Sequence, residues 1–255
     1  MRLTRVLPLL ALGLLASGAT AHEFVVVPTQ PRAANGALVA LEVYSTHTML
    51  RAEELEPPQV SAVRILHQSA RVPVALTPDE ARLVYRGQAL APTAGTFIVS
   101  GHRAPLTFSR TPEGSRPGSR IENPTAISAE RTEKFSKALV NLSPNDTTFS
   151  TVVGDRLEIV PTANPATLRV GDELPVRVLF EGQPLGTAVF ATYQGFSERA
   201  ETYAFYTLAE ADGTARVRIT RPGLWIVRVE NRRTVTDSRE INLDVTRAVL
   251  AFHVH

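Results

Sequence analysis

Six histidines and no cysteine set the chemistry open to this 255-residue chain. Without thiolates, a metal site must use imidazole nitrogens and carboxylate oxygens, with the thioether of Met49 as a weak addition. His22, His47 and His102 each stand at the end of a stretch that alternates apolar and polar residues. If their strands end on one rim, the three imidazoles converge into a nitrogen-rich site suited to Ni(II) or Cu(II). Glu23, Glu53 and Glu54 could add an oxygen ligand or orient a ring. Each of these residues alone also reads as an ordinary solvated strand end. His67 reads as surface, and His253-Val254-His255 is a second candidate pair on one face of a closing strand.

His22 has a further claim. Before it stand Arg2 and Arg5, an apolar run over 6–15, and then Ala19-Thr20-Ala21. That order predicts a secretory signal over 1–21, cut after Ala21. His22 then opens the mature chain, where its free α-amine and its Nδ1 can grip one ion together.

The remaining roughly 230 residues suit two sandwiches of about 100 residues better than one. Lys and Arg total 27 against 25 acidic residues, and losing Arg2 and Arg5 with the signal balances them. A neutral chain excludes a partner that needs a strong basic excess, so no nucleic acid is expected. No other run approaches the ~18 apolar residues of a membrane span, so the mature protein is not expected to be membrane-embedded. Lacking cysteine, it must be held by apolar cores rather than disulfides. No Gly-x-Ser-x-Gly elbow, zinc-helix or phosphate-loop pattern is present, and the chain is read as not an enzyme.

The elements that must position the histidines read as short strands. The fold class expected is all-β: two Ig-like β-sandwich domains joined by a short helical connector. The N-terminal sandwich, expected to carry the metal, covers 22–127, the connector 128–155 and the C-terminal sandwich 156–255. Strands are expected at 24–28, 37–47, 60–67, 81–85 and 96–101, with a structureless loop over 109–124. If 24–28 and 37–43 pair as an antiparallel hairpin, His22 falls beside 43–45, at the end that carries His47. A helix is predicted over 128–142, from a Ser128 cap and the stripe Phe135, Ala138, Leu139, Leu142. Further strands are expected at 156–161, 173–180, 187–193, 202–208, 215–220, 224–230, 240–245 and 248–255. Trp225 should sit in the core of this half.

His-Glu-Phe at 22–24, Ser-Thr-His at 45–47, Glu53-Glu54, Lys134 to Leu139, and the long stretch from Leu157 to Tyr193 carry a resemblance. The chain resembles a bacterial periplasmic family, formerly of unknown function, that is accessory to nickel and cobalt uptake. The resemblance implies a periplasmic protein that binds Ni(II), with Co(II) or Cu(II) as alternatives, and hands it to a membrane metal transporter. Some members carry a histidine at the end of the strand after Trp225, where this chain has Glu230-Asn231. An N-terminal histidine on a β-sandwich also resembles copper proteins with a histidine brace, for storage, delivery or redox work. A third reading is an Ig-like interaction module without metal.

Overall fold

The structure is a computed structural model that describes residues 22–57, 61–68, 70–92 and 95–255. The signal expected over 1–21 lies outside the described residues. In chain order the first strands are β1 (Glu23–Pro28), β2 (Leu38–Thr46), β3 (Ser61–His67), β4 (Ala70–Val74), β5 (Leu76–Asp79) and β6 (Val84–Leu90). Next come β7 (Phe97–Thr111), β8 (Gly114–Pro117), β9 (Ser128–Val140), β10 (Leu157–Pro161), β11 (Glu173–Phe180) and β12 (Gln183–Pro184). The chain closes with β13 (Ala188–Tyr193), β14 (Phe205–Leu208), β15 (Thr214–Arg218), β16 (Gly223–Thr234) and β17 (Leu243–Val254). The protein is thus all-β, as expected. No helix among the described residues is long and apolar enough to cross a membrane.

The strands form three sheets. A nine-stranded sheet runs β14-β13-β16-β17-β9-β7-β3-β4, with β8 paired to β7. A four-stranded sheet, β1-β2-β6-β5, shares one apolar core with it, and the sheet of β10, β11, β12 and β15 shares another. Along the central strands, successive residues enter different cores. Phe97 and Val99 of β7 pack towards β1, whereas Ile98 packs towards β10 and β11. Trp225 and Val227 likewise enter one core, Leu224 and Ile226 the other. A strand buried on both faces has no polar side, the property of sheets covered on both faces.

That burial explains the main correction. Residues 128–140 are not a helical connector but β9, held between β7 (antiparallel) and β17 (parallel). Phe135 and Leu139 face one core, Ala138 and Val140 the other. A doubly buried strand loses the period-2 alternation, so a helical stripe could be drawn through the same residues. Its lysines are not solvated either: Lys134 pairs with Glu56 and Lys137 with Glu158, all four buried. Segments 22–127 and 156–255 both contribute strands to the central sheet.

Two other expectations change. The stretch 109–124 is not a structureless loop, because β7 continues to Thr111 and turns back into β8. The strands expected at 240–245 and 248–255 are one strand, β17, and the Arg247 between those ranges is buried in ion pairs.

Candidate metal centre

β1 and β2 pair antiparallel, with Glu23 opposite Thr46 and Pro28 opposite Leu41. Extending that register by one position sets His22 opposite His47, two residues beyond the 43–45 expected from sequence. The ring centroids lie 4.0 Å apart, tilted by 41°. After β2 the chain turns and returns, with the Glu53 amide donating to the Ser45 carbonyl and a bridge between Ser45 and Glu54. This return lays both carboxylates beside the rings. Glu53 Oε2 is 2.8 Å from His47 Nδ1 and 3.2 Å from His22 Nε2. The His47 amide donates to Glu53 Oε1 at 2.9 Å. Glu54 Oε1 lies 2.9 Å from His22 Nδ1 and accepts from the Ser45 hydroxyl at 3.1 Å.

The electrostatics follow from this crowding. Burial pushes the His22 imidazole down, but the hydrogen bond to Glu54 and the charges of Glu54 and Glu53 outweigh it, so its pKa lies above the ordinary value. The His22 hydrogen bond holds Glu54 down at about 2. Burial works against ionising Glu53, yet its hydrogen bonds from His47 hold its carboxyl below the usual range. Two carboxylates therefore stay ionised against two imidazoles, which is a site organised for positive charge.

One donor atom each from His22, His47 and Glu53 lies within 4.8 Å of the others. Neighbouring donors about 3 Å apart are what a cation with bonds of roughly 2.0–2.2 Å requires. Met49 lines, with His47, a small hollow of about 20 Å³. The Glu201 amide donates to the His47 carbonyl at 2.9 Å, so the loop after β13 buttresses the site.

His102 is not brought to this pair. Gly101 faces β1, where a Cβ would collide with Val26, and the next residue in a strand points the other way. His102 accordingly stacks on Phe135 at 4.7 Å, with its Nε2 2.9 Å from Glu133 Oε1. His67 and His253 take part in no metal-ligand cluster among the described residues. Burial depresses the His253 imidazole, with the nearby His255 adding to it.

Sequence reasoning missed what adjoins the site. A cleft of about 390 Å³ opens beside His22 and Glu54, floored by Glu56, Arg103 and Lys134 and walled by Phe108. These residues lie far apart in the chain, and of them only Lys134, in the stretch Lys134 to Leu139, stood out in the sequence.

Three comparisons bear on the chain. The model of a family described as a domain of unknown function, DUF4198, matches residues 19–233. No curated protein matches it. Among solved structures it is similar to the D0-D1 domain of intimin, at 12% identity and a TM-score of 0.22, covering 92% of this chain and 99% of that one. It is also similar to Salmonella alpha-2-macroglobulin reacted with methylamine, at 12% identity and a TM-score of 0.27, covering 92% of this chain but 15% of that one. Overlaps this loose say nothing about what the molecule does.

Proposed function

We propose that this chain, which belongs to the DUF4198 family, is an exported, periplasmic protein that binds a divalent transition metal. Nickel is the first choice, with Co(II) or Cu(II) as alternatives. The ion is cargo, held by His22, His47 and Glu53 with Glu54 beside them, and passed to a membrane metal transporter. The role is binding and delivery rather than catalysis. One observation carries the reading: an imidazole–carboxylate–imidazole cluster, with Glu53 Oε2 within 3.2 Å of a nitrogen on each ring. Removal of residues 1–21 would free the His22 α-amine, which chelates together with Nδ1, the ring nitrogen beside Glu54; an ion gripped there would need the ring to turn if it is to keep Glu53 as a ligand. His102, engaged with Glu133 elsewhere, has no part in it.

Nitrogen and oxygen donors without sulfur suit Ni(II) and Cu(II), and raw affinity favours copper in almost any such set. An amino-terminal histidine facing a second imidazole is also the donor set of a copper histidine brace. The His22–His47 pairing therefore supports a copper carrier as the second reading.

The test is calorimetric titration of Ni(II) into protein beginning at His22. His47→Ala and Glu53→Gln should each weaken binding at least tenfold, about 1.4 kcal/mol. His102→Ala should bind as the native protein does. Equal binding by all four proteins would sink the site, and metal content of the protein taken from native periplasm decides between nickel and copper.

A further inference from the structure

We propose that the cleft beside His22 takes a small organic carboxylate that also coordinates the ion, so that the cargo is a metal–organic acid chelate. This rests on the metal-binding reading above. The first support is continuity: His22 and Glu54 belong both to the histidine cluster and to the cleft lining. An ion held there borders a space of about 390 Å³, far more than one ion needs and within the usual range of small-molecule sites.

The second support is charge. Arg103 and Lys134 are both buried on the floor and share one carboxylate, Glu56. Lys134 takes the hydrogen bond to it. Arg103 spends its terminal nitrogens on neutral acceptors, the carbonyls of Ala104 and Thr132 and the Thr132 hydroxyl. Its Nε lies 3.6 Å from Glu56 and has no hydrogen-bond partner. Two buried positive charges thus share one buried carboxylate, an imbalance that is costly unless a further anion offsets it. At the rim, Arg232 is paired with Glu130 and Glu230, whereas no carboxylate pairs with the Arg110 guanidinium among the described residues.

The third support is the apolar wall of Phe108 and Leu243, which suits a carbon skeleton rather than a bare inorganic anion. A carboxylate is also a fitting partner for the ion itself. A cation held by two imidazoles and a carboxylate keeps positions open for oxygen donors from outside.

Equilibrium dialysis of protein beginning at His22 against radiolabelled oxalate, malate or citrate, with and without Ni(II), tests this. The expected result is that at least one acid is retained, one per protein, only when Ni(II) is present. Arg110→Glu should cut that retention at least tenfold while leaving the affinity for Ni(II) alone, in a non-coordinating buffer, unchanged. Three results overturn the proposal: acids that merely strip nickel from both proteins, acids retained equally without nickel, or inorganic phosphate retained as well as the best acid. Failure of the metal reading itself looks different, since Ni(II) alone would then bind neither protein, and the proposal falls with it.

Discussion

The Val26 amide donates to the Ser136 hydroxyl at 2.9 Å, across 110 positions of sequence. Val26 is fully buried in β1, and Ser136 lies in the middle of β9. The bond fixes the strand that carries His22 against the central sheet. Gly101 completes the seat, since its missing side chain is where Val26 and Phe24 rest. Gly101→Ala should therefore destabilise the protein by about 1–3 kcal/mol through overpacking. Ser136→Ala, which strands a buried amide, should cost about 1–3 kcal/mol. Denaturant unfolding checks both, and a Gly101→Ala protein as stable as the native one would mean that β1 can lift without strain.

A second prediction concerns the chain terminus. If the His22 amine and imidazole grip one ion, a protein with one extra glycine before His22 should bind Ni(II) at least tenfold more weakly. It keeps every side chain and an α-amine, but the compact chelate is gone. Matching affinities would show that His22 acts through its ring alone.

Stability should also respond to Asp155. Burial, reinforced by the Glu158 charge, pushes its carboxyl up to about 6. In an unfolded chain an aspartate titrates near ~3.9. The folded protein thus holds a proton there that the unfolded chain has released, and the stability this brings is lost as pH rises from about 4 through 6. Asp155→Asn should be more stable than the native protein above pH 6, by on the order of 1–2 kcal/mol, with the difference closing towards pH 4. Melting curves of the two proteins across that range measure it, and a constant difference would refute it.

The buried Lys137–Glu158 pair offers a fourth test. Glu158 also accepts from the amides of Val153 and Gly154, and Lys137 donates to the Thr151 carbonyl. Glu158→Gln leaves an ammonium buried without its counter-charge and should cost about 3–5 kcal/mol. The double substitution Lys137→Met, Glu158→Gln should recover part of that loss. A double-mutant cycle reads the coupling, and strictly additive losses would show that the pair acts as two separate groups.

The sequence reading succeeded where one face of a strand meets water. The β11 limits fell where the alternation set them, and the short hairpin of β1 and β2 was enough to bring His22 and His47 together. It failed where both faces are buried. β9 lost its alternation to two cores, and its lysines looked solvated because Glu56 and Glu158 are remote in sequence or hidden in another strand. His102 was misplaced by its position in β7, since the neighbouring Gly101 faces Val26 and Phe24 and it is Arg103 that lines the cleft beside His22. One residue earlier in β7 His102 would face β1; where it stands, it faces Phe135. The cleft was illegible because register over long separations, not local pattern, assembles its floor.

The place of β17 governs how this protein can be made. It is the last strand in chain order, yet it sits between β16 and β9, hydrogen-bonded to both, and its parallel pairing with β9 joins Leu243 to Glu130. Until Leu243–Val254 arrives, β9 lacks one neighbour and β16 another, and neither core can close. Pairings at such separation form late and slowly, because the chain must first lose the entropy of a long loop. Both cores, and with them the seat of the strand that carries His22, therefore close only once Leu243–Val254 has joined the central sheet.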